Sequence, residues 1–284
     1  MINMSKVIVT HINPDQDALS SVWLMRRYYP GFQGEDVEYA FIPAGTTYQN
    51  APVDSDPDVI HVDTGLGLFD HHQIPEKICA FKRIYEYLVK RCLIPVYDEV
   101  PLGRMGMVIN DYDNFLNVYY PDVTADYQEF TLDQITSGLI HTELHDKEKV
   151  AIVLPIFDAI LQTIKNKIKA EKNIKEGFVF DTKTFGKSIV MENSNNESMK
   201  FAQKSGFQLV ARKDPKQGNI RVVCLPKDEF DLTPIYNIVK AEDTVGTWFF
   251  HQSKHMLING SNVNPTMKPS PITTARLIEI LQQF

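Results

Sequence analysis

Metal-ligating side chains crowd into two short stretches of this sequence. The first reads His11-Ile-Asn13-Pro-Asp15-Gln-Asp17, and the second Asp63-Thr-Gly-Leu-Gly-Leu-Phe-Asp70-His71-His72. Each follows a run of strand-forming residues, so each falls at a strand end. Together they supply four carboxylates and three imidazoles. Carboxylates brought this close repel one another unless a cation lies among them. Hard divalent ions take oxygen ligands, and imidazole nitrogen in the set moves the preference toward Mn²⁺, Fe²⁺ or Co²⁺. A turn after the first strand can place His11 and Asp15 on one ion and Asp17 on a neighbour. Asp63, from a second strand, could bridge both, and His71 could complete the second. Two ions roughly 3.5–4 Å apart hold a hydroxide and clamp a phosphoryl group for in-line attack. The expected reaction is hydrolysis of a phosphoester or phosphoanhydride.

The elements that must position these groups can be read from periodicity. Residues 6–10 form a short apolar, β-branched run, as in a buried strand. A helix is expected from about Ala18, with Leu19, Val22 and Trp23 on one face and Asp15 or Asp17 as its N-cap. Residues 38–42 and 59–62 read as further strands. Ile78, Phe81, Ile84, Tyr85 and Leu88 keep helical spacing over 75–92. Residues 107–118 start apolar and run into Asp111 and Asp113. Two more helices are expected over 131–145 and 148–172, with Pro155 opening or kinking the second. Strand–helix–strand alternation argues for an α/β fold with a mainly parallel sheet, and ligands in such sheets bind beyond the carboxyl ends of the strands. A domain boundary is expected near Gly177, giving domains 1–176 and 177–284. The second reads as a smaller α+β unit. Its strands are expected over 178–180, 188–192, 207–213 and 220–225, with helices over 197–205 and from Thr273.

A chain of 284 residues with 43% apolar content can bury two such cores. Its net charge of −7 offers no basic face for a duplex, which leaves a phosphorylated small molecule or a short single strand as the nucleic-acid-like partner. No apolar run reaches the roughly 18 residues of a membrane span, and residues 1–6 lead into a strand without a signal-peptide pattern. A cytoplasmic protein with no membrane partner is expected; a homodimer is compatible with the sequence. Cys79, Cys92 and Cys224 form no metal-like spacing and are expected to be reduced, packed thiols. His61, inside a strand, is expected to be buried and hydrogen-bonded. His141 and His145 sit four apart on an expected helix but lack a third ligand, so a packing or surface role is favoured. Arg26 and Arg27 suit the last turn of a helix. His251, Ser253 and Lys254 interrupt an otherwise apolar segment. They read either as a substrate-binding lip for phosphate, where Lys254 would serve, or as the outward residues of a strand.

His11-x-Asn13-x-Asp15-x-Asp17-Ala18, then Asp63, then Asp70-His71-His72, resembles the DHH phosphoesterase superfamily. That superfamily includes RecJ-like exonucleases, oligoribonucleases and manganese-dependent inorganic pyrophosphatases. The short gap from Asp63 to Asp70, and Gln73 after the double histidine, most resemble the melanocyte-proliferating-gene (MYG-type) branch of exonuclease-related proteins. The resemblance covers about residues 5–175, and Trp248-Phe-Phe-His251 is similar to a later Phe-x-His segment. It implies His11, Asp15, Asp17, Asp63 and His71 as metal ligands, Asp70 as the carboxylate that orients the histidines, and His72 as the residue facing the substrate phosphate, a candidate general acid. The branch's Asp-Asn element is matched by Asp113-Asn114, with Asp111 as the competing last ligand. The glycine that follows it in the branch is Phe115 here. Implied is a dinuclear site for Mn²⁺, with Mg²⁺ or Co²⁺ as substitutes. Three functions compete: hydrolysis of a phosphodiester in a short oligonucleotide or small nucleotide, hydrolysis of pyrophosphate or a similar anhydride, and metal- or nucleotide-dependent regulation without catalysis.

Overall fold

The computed structural model describes residues 6–261 and 263–284. Strand β1 (Val7–His11) is the centre of a three-stranded parallel sheet, between β2 (Glu38–Ile42) and β3 (Val59–His61). In register, Val7 opposes both Glu38 and Val59. Val7 to Thr10 are all buried, which is why β1 lacks the alternation of a half-exposed strand. Parallel neighbours need a crossover, and α1 (Gln16–Tyr28) supplies it between β1 and β2. Asp15 caps α1 by accepting from the Ala18 amide at 3.0 Å. Arg26 and Arg27 close the helix: Arg27 pairs with Asp158 at 2.6 Å, and Arg26 donates to the carbonyls of Phe32 and Gly34.

The rest of the first unit is helical. It comprises α2 (Ala80–Lys90), α3 (Val96–Asp113), short 3₁₀ turns over 116–119 and 126–130, α4 (Leu132–Ile140) and α5 (Asp146–Glu176). Its core joins Ile8, Trp23, Phe81, Leu88, Leu102 and Phe157. The α2–α3 contact is close: a Cβ on Gly106 would lie 3.1 Å from the Phe81 ring. The first half of α3 was not expected, because Pro101 and Gly103 both disfavour a helix interior. The helix nonetheless runs through Pro101, with Leu102, Met105 and Ile109 buried. Helix α2 starts at Ala80, not at 75, and α5 is continuous through Pro155.

The chain divides within α5, the first compact unit ending at Ile164 and the second beginning at Lys165. The second unit holds β4 (Phe178–Thr182), β5 (Gly186–Glu192), α6 (Glu197–Lys204), β6 (Leu209–Lys213), β7 (Ile220–Cys224), α7 (Thr233–Glu242), β8 (Phe249–Phe250), β9 (Met256–Asn259) and α8 (Thr274–Leu281). Its sheet runs β4-β5-β6-β7-β9-β8, with only β5–β6 parallel. One sheet face packs on Ile235 and Val239 of α7 and Leu277 and Ile280 of α8. The other packs Ile189 and Val210 against Met199 and Ala202 of α6. The protein is thus α/β, with a parallel sheet in the first unit and a mixed sheet in an α+β second unit.

Several side chains settle the smaller expectations. His61 is buried, and its Nε2 accepts from the Tyr48 amide at 2.9 Å. Cys79 and Cys224 are buried, but Cys92 is exposed in the turn after α2, so the packed-thiol expectation fails for it. His141 and His145 do not share a helix. Both are exposed on the connection between α4 and α5. Among the described residues no helix is long and apolar enough to cross a membrane.

Helix α3 ends in an unusual way. Phe115 adopts the left-handed conformation, φ 57° and ψ 21°, while its amide donates to the Tyr112 carbonyl. This is the helix-terminating position that glycine commonly fills. A residue with a Cβ costs roughly 1–2 kcal/mol there, and the 80% exposed Phe115 ring has little burial to offset it. Phe115→Gly is therefore expected to stabilise the protein by about 1 kcal/mol in urea unfolding; a loss of stability would contradict this account.

Candidate metal centre

The parallel register sets the site. The Val62 amide donates to the Val9 carbonyl at 2.8 Å, so His11 and Asp63 leave neighbouring strands at the same edge of the sheet. Asp63 is buried and has a left-handed backbone, φ 54°. Its two carboxylate oxygens face different histidines: Oδ2 lies 3.4 Å from His11 Nε2, and Oδ1 lies 3.2 Å from His71 Nε2. Around these contacts two groups form. His11, Asp15 and Asp63 bring one ligand atom each within 4.8 Å of one another, and so do Asp17, His71 and Asp113. Asp15 Oδ1 is 4.0 Å from His11 Nε2. Asp17 and Asp113 approach His71 Nε2 to 3.8 and 3.9 Å.

Each ligand is held from behind. The His11 Nδ1 donates to the Ile12 carbonyl at 3.0 Å, which leaves Nε2 as the nitrogen that faces Asp63 and would ligate once deprotonated. Asp17 lies in the first turn of α1, yet its carboxylate accepts from the Ala80 and Phe81 amides at 2.7 and 2.9 Å. Those amides open α2, whose own cap residue, Cys79, contributes no side-chain hydrogen bond. Asp17 thus caps α2 from another helix. Asp70 is fully buried, accepts from the Leu66 and His72 amides, and lies 2.7 Å from His72 Nδ1. A carboxylate only accepts, so His72 Nδ1 carries the proton and its Nε2 is left for the open side of the site. His72 is 58% exposed. Its ring lies beside the Asp63–His71 pair, with Nδ1 3.8 Å from Asp63, and Asp63, His71 and His72 form a third group of neighbouring ligand-type side chains.

The two candidates for the last ligand separate. Asp113, the final residue of α3, joins the cluster. Asp111 does not: residues two apart on a helix face different ways, and its Oδ2 accepts from the Tyr120 hydroxyl at 2.7 Å. His251, Ser253 and Lys254 lie in the second unit. His251 Nδ1 is 2.8 Å from Ser253 Oγ, and Lys254 is paired with Asp231 at 2.9 Å.

Three supporting residues, Asp146, Lys149 and Asp133, were not anticipated. Asn13 has a left-handed backbone, φ 52°, and its amide and side chain are bound by Asp146 and by the buried Lys149. Lys149 also pairs with Asp146 at 2.9 Å. This pair fixes the turn that carries Asp15 and Asp17. Asp133 lines a cavity of about 340 Å³ with Asp15, Asp17, Asp113 and Phe115. In sequence Asp133 reads as an ordinary first-turn acid, and nothing near Lys149 in the chain marks it as the partner of Asn13.

The electrostatics are those of a site built for positive charge. Burial opposes a charged His11, but its hydrogen bond to Asp63, the Ile12 carbonyl and Asp15 lift it to about 9. His71 is likewise lifted to about 9 against burial by Asp63, Asp113 and Asp17. Burial and the charge of Asp63 push Asp17 well above the ordinary carboxylate range, and burial raises Asp113 to about 6. Burial would raise Asp63 too, yet the two histidines hold it below its usual value. Without metal, the site neutralises itself with protons. Asp63 Oδ1 and His71 Nε2 are buried and have no hydrogen-bond partner. Once His71 gives up its proton these become two facing lone-pair atoms 3.2 Å apart, which fit a cation, and the mixed oxygen and imidazole set fits a divalent one.

No family model matches the chain, and no curated protein does. Solved structures give loose likenesses. An uncharacterised protein from Helicobacter pylori G27 is 10% identical at a TM-score of 0.28, with 98% of each chain covered. RecJ in complex with Mg²⁺ from Thermus thermophilus is 13% identical at 0.31, covering all of this chain and 50% of RecJ. A putative family II inorganic pyrophosphatase from Methanococcus jannaschii is 13% identical at 0.22, covering 96% and 98%. Likenesses this loose carry no argument about chemistry, which rests on the residues themselves.

Two outcomes follow from this geometry. Asp17→Ala removes the acceptor for two helix-opening amides and is expected to destabilise the metal-free protein by about 1–2 kcal/mol. Asp17→Asn, which keeps one acceptor, is expected to cost less; equal losses in thermal melts would refute the capping role. Second, a divalent ion must displace the protons on His11 and His71. Metal affinity is therefore expected to rise with pH up to about 9 and then level off. Calorimetry in buffers of different ionisation enthalpy should register proton release at pH 7, and none would contradict the assignment.

Proposed function

We propose that this chain is a DHH-type phosphohydrolase that works with two divalent ions, Mn²⁺ by preference, and cleaves a phosphodiester in a short oligonucleotide or small nucleotide. The observation that carries the reading is Asp63: one buried carboxylate whose two oxygens face two separate sets of ligands. A single-ion site has no need of a second imidazole, His71, 3.2 Å from the other oxygen of Asp63. The order and spacing of His11, Asp15, Asp17, Asp63 and Asp70-His71-His72 support the superfamily, and the short step from Asp63 to Asp70 supports the MYG-type branch.

The ions would supply Lewis-acid stabilisation of the phosphoryl oxygens and an activated water. The chain's own residues have separate tasks. Asp63 fixes the spacing of the two positions. Asp17, immobilised by the start of α2, and Asp113 hold the second position with His71. His11 and Asp15 hold the first. Asp70 fixes the His72 tautomer and ring, so that Nε2 is offered to the substrate side, where it can hand a proton to the departing oxygen. The ring's exposure suits that task.

Asp63→Ala is expected to remove both positions at once. Loss of a residue merely supporting a ligand costs about 10–100-fold, so loss of the shared ligand should cost more than about 100-fold in turnover. The test is a Mn²⁺-supplemented panel of short RNA, short DNA, dinucleotides, cyclic dinucleotides and pyrophosphate. Full activity of Asp63→Ala on whichever substrate the parent cleaves would sink the mechanism. Cleavage of pyrophosphate alone would move the assignment to the anhydride reading. Metal binding without cleavage of any member would move it to a regulator.

A further inference from the structure

The sheet of the second unit carries a feature that the metal chemistry does not use. Arg212 on β6 and Arg221 on β7 are direct cross-strand partners, so their side chains leave the same face side by side. The other pairs of these strands are Leu209–Cys224, Val210–Val223, Ala211–Val222 and Lys213–Ile220. Like charges directly opposed on a sheet are destabilising. The cost is greater here because Arg212 is more than nine-tenths buried, with 6% of its surface exposed, and Arg221 is half-buried. Burial lowers the proton affinity of both guanidiniums; at Arg212 the charge of Asp214 raises it and Arg221, to a smaller extent, lowers it.

Local partners offset the pair only in part. Arg212 Nη1 donates to the Asn193 carbonyl at 3.0 Å, and Asp214 comes no closer than 3.8 Å. Asp214 is itself engaged, accepting from Ser194 Oγ and the amides of Lys216 and Gln217. Arg221 Nη2 lies 3.3 Å from the Met256 sulfur. The Nε of both arginines is buried with no hydrogen-bond partner. Both side chains line a cavity of about 510 Å³, together with Lys216, Asn196, Asn219 and Ile258. That volume is in the range of small-molecule sites, about 300–1,000 Å³.

We infer that the Arg212–Arg221 pair, within the second unit, is a binding site for the phosphate of a phosphorylated small molecule. Two adjacent planar guanidiniums present several N–H donors to tetrahedral oxygens, and a phosphate dianion between them turns mutual repulsion into shared attraction. With Lys216 and Asp214 the cavity wall has a formal excess of positive charge in a chain whose net charge is −7. The amide side chains and Ile258 suit the sugar and base of a mononucleotide. This site does not depend on the phosphohydrolase reading.

The test uses the whole chain in chelator, so that the metal centre is empty of ions. Inorganic phosphate and AMP are titrated by calorimetry and by thermal shift, with chloride at matched ionic strength as the control. Binding is expected for the parent and for Asp63→Ala alike. At least a tenfold loss is expected in Arg212→Gln and in Arg221→Gln, with circular dichroism unchanged. Should Arg212→Gln fail to fold, the half-buried Arg221→Gln carries the test alone. AMP binding more tightly than phosphate assigns the cavity to a nucleotide, and equal affinity assigns it to free phosphate; both support the site. Protection by chloride equal to that by phosphate, or affinity unaltered by Arg221→Gln, overturns it.

Discussion

Carboxylates crowded into a buried space must acquire positive charge, and the first unit is organised around that requirement. Asp15, Asp17, Asp63 and Asp113 converge on two imidazoles. In the absence of ions the structure answers with protons: His11 and His71 hold theirs to about 9, and Asp17 and Asp113 are pushed upward. Asp63 stays ionised because both histidines face it. Such an arrangement gives up stability for poise. It is stable enough to fold, yet it gathers acids and imidazoles in a set that would suit a divalent ion.

The scaffold makes this crowding geometrically obligatory. Parallel pairing of β1 with β3 puts His11 and Asp63 at one sheet edge. The turn between β1 and α1 is tied down by Asn13, Asp146 and Lys149, so Asp15 and Asp17 cannot retreat from one another. Close packing of α2 on α3, allowed by Gly106 beneath Phe81, brings the end of α3 and therefore Asp113 to the same place. Tertiary packing here overcomes local preference twice: α3 passes through Pro101, and Phe115 takes a backbone conformation better suited to glycine.

What was legible in the sequence follows from the range of the forces involved. Residues 38–42 and the start of α1 could be read because a strand's alternation and a cap's chemistry act over a few residues. The gathering of acids and histidines at strand ends was legible for the same reason, since an acid immediately after a buried strand has few places to go. Asp113 could not be told from Asp111, because the choice depends on the helical phase of α3, and Pro101 and Gly103 hid where that helix begins. Lys149 was hidden differently: its partner Asn13 is 136 residues away in sequence. Arg212 and Arg221 look ordinary until the register of β6 with β7 sets them side by side. Cys92 was misread because its burial depends on where α2 stops.

The capping of α2 by Asp17 has a consequence for how this protein can change over evolutionary time. Most ligands of a metal site answer only to chemistry, so a duplicated copy relieved of its reaction can shed them freely. Asp17 answers to two constraints, because two backbone amides at the start of α2 also depend on it. If the proposed chemistry operates, descendants that drift away from it should lose His11 or His71 early and keep an acid or amide at this position. A surviving Asp17 in such a copy would record architecture, and only the histidines would record activity.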